Sequence, residues 1–325
     1  MRATQAIEFG GPEVLVPVEV PEPVAGPGPG QVLVAVAAVD TVFVETQVRS
    51  GWGREYFTVT PPYVPGAGIA GTVRATGEGV DPAWNGRRIV ASLGITGGYA
   101  ELALAPADAL AAVPDEVSFT DAAALVHDGV TAAKLLDTTA VRPGEQVLIV
   151  GASGGMGTVL VQLAKAAGVR VVGVARGDRK TALVRELGAD AVVDAARPDW
   201  VERAREALGG AGADVVLDGV GGEVGLAAFA LVATGGRFSA HGAPTGGFAP
   251  VDPADAAARD VRLLGIADLQ LSAPEHAELA SHALRAAAEG ALRPVIGATF
   301  PLERAASAHE AIESRELLGK VVITV

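Results

Sequence analysis

Val147-Leu148-Ile149-Val150-Gly151-Ala152-Ser153-Gly154-Gly155-Met156-Gly157 carries the strongest structural signal in the chain. Four apolar residues, enough for the body of a buried strand, run into small residues and then into the helix-forming stretch Gly155–Ala167. In such a turn the first glycine permits a tight reversal, and the next ones let backbone N–H groups approach a pyrophosphate. Gly157 lets the helix lie close to the strand, and the helix N-terminus turns its positive end to the anion. Ala152 stands where the strict G-x-G-x-x-G pattern begins, so the weight falls on context: a strand before, a helix after, and further βα units downstream. The uncharged stretch from Gln146 to Ala164 is long enough to suggest a membrane span, but its central glycines sit where a continuous helix would be weakest. A strand, turn and helix fit it better.

Downstream, strand Val169–Val174 leads to helix Arg179–Leu187, and strand Ala191–Asp194 to helix Trp200–Leu208. Strand Ala213–Asp218 leads to helix Glu223–Val232, followed by strands Arg237–Ala240 and Val261–Ile266. This alternation predicts a parallel sheet covered on both faces, with the six strands of the doubly wound dinucleotide fold. Upstream the rhythm is different. Arg2–Phe9, Glu13–Val20, Gln31–Ala38, Ile69–Ala75, Arg87–Ser92 and Tyr99–Leu104 read as short strands, with a helix at Val44–Arg49. Pro21-Glu22-Pro23 and Gly26-Pro27-Gly28-Pro29-Gly30 mark a surface connection, and the close strand spacing predicts a β-barrel-like domain. Helices follow at Asp121–Leu125 and Thr131–Leu136. The tail holds helix Pro274–Gly290, the segment Pro294–Phe300, a helix near Leu302–Ser314 and strand Lys320–Val325. It is expected to return to the first domain, because the nucleotide sheet is complete at Ile266. The expected division is residues 1–117 with 272–325 around a dinucleotide-binding domain at 118–271.

Composition narrows the function. The chain has 325 residues, 25 Lys and Arg, 38 Asp and Glu, and a net charge of −13. It therefore has no general attraction for phosphate backbones or anionic lipid, so neither nucleic acid nor membrane is an expected partner. There is no cysteine, which excludes disulfides, thiolate metal sites and a cysteine nucleophile. Glu8 interrupts the N-terminus before any apolar signal segment forms, and a cytoplasmic location is expected.

The second strand of the dinucleotide unit ends Val174-Ala175-Arg176-Gly177-Asp178-Arg179-Lys180. An acidic residue at this tip would accept from the ribose hydroxyls of NAD, whereas Arg176 and Lys180 suit a 2′-phosphate. NADPH is the expected cofactor. The chain has only four lysines, so Lys180 is less easily set aside as a solvated charge; Asp178 reads as a helix cap.

Together with Pro61-Pro62-Tyr63-Val64-Pro65-Gly66-Ala67-Gly68-Ile69-Ala70-Gly71, Arg49-Ser50-Gly51 and Gly319-Lys320-Val321-Val322, these residues resemble the medium-chain dehydrogenase/reductase superfamily. Within it the chain is similar to the zinc-independent quinone oxidoreductase branch. The resemblance implies an α/β protein with a GroES-like β-barrel catalytic domain and a Rossmann domain, hydride transfer in the cleft between them, and a homodimer. It also implies a cofactor cradle of Thr131, Ala152, Ser153, Gly154, Gly155, Met156 and Gly157, with Gly219, His241, Gly242 and Ala243 near the nicotinamide. No metal is expected, since Ala67-Gly68 stand where zinc-dependent relatives place a His-Glu pair. Val42 and Gln47 replace the Asn and Tyr usual in quinone reductases.

His127 and Asp128 are the substitute catalytic candidates, able to bind a substrate oxygen or relay a proton. The competing reading makes Asp128 the cap of a helix beginning at Gly129 and His127 a half-buried residue. Asp40 and Tyr56 read as turn and loop residues, and the Gly51–Pro62 segment as a lining for substrate. The expected activity is hydride transfer from NADPH to a quinone or an activated C=C bond. An enoyl-thioester or secondary-metabolite tailoring reductase, and a non-catalytic cofactor-binding scaffold, are the alternatives. Val261–Ile266, an apolar edge strand without proline, is the expected dimer contact.

Overall fold

The computed structural model describes residues 1–23 and 26–325; Val24 and Ala25, inside the expected Pro/Gly connection, lie outside the described residues. The chain begins with β1 (Arg2–Ala6), β2 (Leu15–Glu19), β3 (Gln31–Asp40), α1 (Phe43–Ser50), β4 (Gly68–Thr76) and β5 (Arg88–Ser92). It continues with β6 (Leu102–Pro106), β7 (Leu110–Ala112), α2 (Phe119–Leu125), α3 (Asp128–Thr138), β8 (Gln146–Val150) and α4 (Gly155–Ala166). Next come β9 (Arg170–Ala175), α5 (Asp178–Glu186), β10 (Ala191–Asp194), α6 (Trp200–Ala207), β11 (Ala213–Asp218) and α7 (Gly222–Phe229). Then β12 (Val232–Ala240), α8 (Pro253–Ala258), β13 (Arg262–Gly265), α9 (Ala273–Ala288), β14 (Ile296–Pro301), α10 (Ala305–Ser314) and β15 (Lys320–Thr324) complete it.

Two compact units result, Met1–Val130 with Leu271–Val325, and Thr131–Gln270. Among the described residues the first unit holds a seven-stranded sheet in the order β14-β15-β3-β4-β5-β7, with β6 also on β3. One edge of β3 pairs with β4; the other is shared between β6, opposite residues 31–35, and β15, opposite residues 38–40. Alternate residues of β3 are buried as far as Val36, and Ala38, Val39 and Asp40 are then buried on both faces. Val34, Ile69, Ile89, Tyr99 and Ile323 fill the core below.

The first boundary falls after Val130 instead of after Val117. Ser118 Oγ caps α2 by accepting from Asp121 N at 3.0 Å. The helix then lays Ala122, Ala123, Ala124 and Leu125 against β3, β4, β15 and α9. Strand β7 escaped the sequence reading because three residues are too few to show a period.

The second unit is a parallel sheet in the order β10-β9-β8-β11-β12-β13. Numbered within the unit this is 3-2-1-4-5-6, the doubly wound order. Val147, Leu148 and Ile149 at its centre are fully buried. The sheet extends further than expected at one point: Val232 pairs with Ala213, so α7 stops at Phe229 and β12 begins where helix was expected.

Candidate active site and cofactor cradle

The cradle assembles at the carboxyl ends of the second unit's strands. Gly151 leaves β8 at φ 81°, in the left-handed region that glycine tolerates. Gly157 is pressed against it: a Cβ there would stand 2.2 Å from the Gly151 carbonyl oxygen and 2.8 Å from Ala152 Cα. The α4 N-terminus carries no side-chain cap, so its first N–H groups stay available to an anion next to Ala152, Ser153 and Met156.

At the tip of β9 Arg176 is exposed and Lys180 half-buried. Asp178 does not cap α5: Gly177 is the N-cap, and its N–H donates to Asp194 Oδ1 at 2.8 Å. Asp194 ends the neighbouring β10, where N–H groups of Gly177 and Ala196 hold its carboxyl below the ordinary range. On the other side the ends of β11 and β12 nearly touch. His241 N and Gly242 N both donate to the Asp218 carbonyl at 3.1 Å, and a Cβ on Gly242 would meet the Gly219 carbonyl oxygen at 2.2 Å. Burial pushes His241 down to about 4, so its imidazole is neutral. Ala243 follows in the same loop, and Thr131 is half-buried on α3.

The first unit gathers a separate set of polar groups. In the register of β3, β4 and β5, Asp40, Gly68 and Ser92 stand directly opposite one another and so share one face of the sheet. Gly68 offers no side chain, and the imidazole of His127 fills the space above it. A Cβ at Gly68 would meet Val126 Cγ1 at 2.6 Å, His127 Cε1 at 2.7 Å and His127 Nδ1 at 2.8 Å. The ring thereby bridges the row. Its Nδ1 lies 2.6 Å from Asp40 Oδ2 and its Nε2 lies 3.2 Å from Ser92 Oγ.

Lys320 closes the cluster from β15. Val322 is opposite Asp40, and Lys320, two residues away, shares its face. Lys320 Nζ is 2.6 Å from Asp40 Oδ1 and 3.1 Å from Asp128 Oδ2. Burial would raise the Asp40 carboxyl, but Lys320 and then His127 outweigh it and hold it below the ordinary carboxylate range. Burial, with the Asp40 charge, moves Asp128 upward against the pull of Lys320. Burial works against the Lys320 charge too, yet the Asp128 and Asp40 carboxylates push it above its ordinary value. His276 on α9 stands edge-on to His127, 5.4 Å between ring centres, with both ring nitrogens buried and unpartnered. Burial pushes it down to about 4.

These contacts revise three expectations. Helix α3 starts at Asp128 rather than Gly129, and the Asp128 carboxylate is spent on Lys320. Asp40 is no turn residue but the last residue of β3, with no exposed surface. Ser92, Lys320 and His276 were not singled out for chemistry at all. A lysine among only four, and an acid ending an otherwise apolar strand, were the available signals. Tyr56 is a loop residue, 75% exposed, near half-buried Phe57 and exposed Trp52.

A second buried chain runs behind this cluster. Arg49 donates from Nη2 to Glu313 Oε1 at 2.6 Å and from Nη1 to His309 Nδ1 at 3.2 Å. The Tyr99 hydroxyl lies 2.9 Å from His309 Nε2 and donates to Glu45 Oε2 at 3.0 Å. That direction assigns the His309 proton to Nε2. Glu45 also accepts from Val42 N at 3.1 Å and Ala67 N at 2.7 Å, which pins the chain ahead of Gly68.

Comparison with known proteins agrees with both units. Residues 28–115 match the alcohol dehydrogenase GroES-like domain, and residues 187–323 match the zinc-binding dehydrogenase model. The rat quinone oxidoreductase is 33% identical over 99% of this chain and 97% of its own length. The chain belongs to the quinone oxidoreductase-like branch of the medium-chain dehydrogenase/reductase superfamily. A 2-haloacrylate reductase from a Burkholderia species is 32% identical over 97% of this chain and 96% of that protein. The structure of a mycobacterial member complexed with NADPH superposes with a TM-score of 0.91 at 35% identity, covering both chains fully.

One matching description names zinc, and the donor set of this branch member does not fit that ion. The sequence offers no thiolate. The His127 ring occupies the space a side chain at position 68 would need, its Nδ1 is held by Asp40, and the Asp40 and Asp128 carboxylates close on an ammonium group. No helix among the described residues is long and apolar enough to cross a membrane.

Proposed function

We propose that this protein is a zinc-independent, NADPH-dependent reductase of quinones or activated C=C bonds. The observation that carries the reading is the uncapped N-terminus of α4, packed through Gly157 onto Gly151, with exposed Arg176 directly after the next strand, which itself ends in Ala175 and not in an acid. A dinucleotide pyrophosphate suits the first feature, and a 2′-phosphate suits Arg176 and Lys180. The bound nicotinamide would supply hydride, and a conjugated acceptor needs no metal to become electrophilic. The named relatives support this acceptor class: one is called a quinone oxidoreductase and another a 2-haloacrylate reductase.

Steady NADPH oxidation with a panel of small quinones and enones tests the activity. No turnover across the panel would overturn it, and turnover confined to acyl thioesters would replace the substrate class. Arg176→Glu is expected to weaken NADPH binding by about tenfold or more, with NADH binding changed much less, since one charge-assisted phosphate contact is worth about 1.5–3 kcal/mol. Fluorescence titration of both cofactors reads this; equal losses would remove Arg176 from the 2′-phosphate site.

The same reading includes a homodimer. β13 is the edge of the parallel sheet and leaves Leu263 and Ile266 beside it 36% and 45% exposed. Antiparallel pairing of two β13 strands would cover both the unpaired backbone groups and these side chains. Sedimentation at micromolar concentration should show a dimer, and Leu263→Lys should shift it toward monomer. A wild-type monomer would exclude the contact.

A further inference from the structure

We propose that Ser92, His127 and Asp40 act as a nucleophile, its general base and the acid that orients the base, so that Ser92 takes up and releases the acyl group of small activated carboxylic esters. The activity uses neither NADPH nor hydride and stands apart from the reductase reading above. All three residues belong to the unit made of Met1–Val130 and Leu271–Val325, and the three roles are filled within it.

One proton on the imidazole satisfies both of its polar contacts. Asp40 is fully buried, and Lys320 Nζ, 2.6 Å from its Oδ1, keeps it a carboxylate. The other oxygen, Oδ2, lies 2.6 Å from His127 Nδ1 and can only accept, so the ring proton belongs on Nδ1. Nε2 is then a bare acceptor 3.2 Å from Ser92 Oγ, and the Ser92 hydroxyl donates to it. That is the order a serine nucleophile requires: hydroxyl to imidazole, imidazole to carboxylate, with the carboxylate setting the tautomer. Exposure rises in the same direction. Asp40 has no exposed surface, the His127 side chain is 20% exposed, and Ser92 is half-buried at the end of β5. The sheet register sets the spacing, because Asp40, Gly68 and Ser92 occupy one row and only glycine between them leaves room for the ring. His276 backs the imidazole edge-on, 5.4 Å between ring centres. Leu93 N, next to the nucleophile, donates to the Ala67 carbonyl at 2.7 Å, but among the described residues the Gly94 and Ile95 N–H groups have no protein acceptor. They are the free donors nearest in sequence for a tetrahedral oxygen.

The reaction balances with water as the second reactant. The Ser92 O–H bond breaks as its proton passes to His127 Nε2, and Ser92 Oγ bonds to the ester carbonyl carbon. Asp40, already an anion, faces the imidazolium that forms. The bond from that carbon to the alcohol oxygen then breaks, and Nε2 gives its proton to the leaving oxygen. Water repeats the sequence: it loses a proton to Nε2, its oxygen bonds to the acyl carbon, and the bond to Ser92 Oγ breaks as Nε2 restores the Ser92 O–H. One ester and one water become one acid and one alcohol, with nothing oxidised or reduced.

With no cofactor present, 4-nitrophenyl acetate should give a burst of 4-nitrophenolate approaching one equivalent per chain, followed by a slower steady release. Peptide mapping of the acid-quenched protein should place the acetyl group on Ser92. Ser92→Ala should lose that label and the burst. His127→Gln keeps the hydroxyl but not the base, and should slow acetylation of Ser92 on the order of 10²-fold. Asp40 is a positioning residue: Asp40→Asn should slow acetylation about tenfold or more and move the ring proton off Nδ1, which the imidazole nitrogen resonances of His127 report. The proposal is overturned if wild-type Ser92 stays unacetylated, if His127→Gln acetylates it at the wild-type rate, or if the wild-type ring carries its proton on Nε2. The first and third of these are read on the wild type, so a variant that fails to fold leaves the proposal open to refutation. A protein that acetylates Ser92 but oxidises no NADPH would overturn the reductase reading alone, and the reverse result this proposal alone.

Discussion

Lys320→Met is expected to destabilise the first unit by about 3–5 kcal/mol, the usual cost of leaving a buried charge without its partner. The methionine fills much the same volume but removes the ammonium that reaches both carboxylates. Asp40 would then lose the ammonium while staying fully buried beside His127, and Asp128 would take up a proton. Restoring charge balance should restore most of the loss, so Lys320→Met combined with Asp40→Asn and Asp128→Asn should regain at least half of it. Equilibrium denaturant unfolding of the three proteins measures this. A single variant within about 1 kcal/mol of wild type would show that the ammonium is not what holds these carboxylates.

Glu45 gives the second large effect, and it depends on pH. Burial, then the Asp40 charge, pushes its carboxyl from the ordinary 4.5 up to about 7, against the N–H groups of Val42 and Ala67 and the Tyr99 hydroxyl. The folded protein therefore holds a proton that the unfolded chain releases between about 4.5 and 7. This contribution to stability is complete below 4.5 and is lost as pH rises through 7, a span worth about 3 kcal/mol. His309 acts in the opposite sense: burial, then Arg49, pushes it down to about 3, so its contribution is present above 6.5 and lost as pH falls. The clean measurement is thus the stability difference between Glu45→Gln and wild type. That difference should move in favour of the variant by about 3 kcal/mol from about pH 4.5 to about pH 7.5. Parallel curves would refute the raised carboxyl, whatever constant penalty the amide brings by turning an N–H toward a donor.

The two parts of the molecule differed in how far they could be read without coordinates. The glycine turn and strand tips of the second unit were legible because their pieces are close in sequence. Gly151 and Gly157 meet across one turn, and the strands around them announce themselves as short apolar runs between helices. Arg176 and Lys180 followed from position relative to those strands. The edges of elements were less legible: Asp178 looked like a cap, and Gly177 does that work because its φ of 86° suits no other residue as well.

His127 could be suspected from its neighbours in the chain, but not what it touches. Asp40, Gly68, Ser92 and Lys320 come from four strands, and nothing local in any of them signals a shared site.

By itself, then, the sequence determined the doubly wound unit, its glycine turn and its basic strand tip, since these depend on short-range periodicity and on backbone freedom at single residues. Only the tertiary structure decided that Asp40 is a buried anion, that Gly68 is small to admit an imidazole, and that Asp128 serves Lys320. Antiparallel register is the physical reason. A row across three strands is set by hydrogen bonds between distant segments, and a shift of one residue would have turned Asp40 and Ser92 to the opposite face, away from His127.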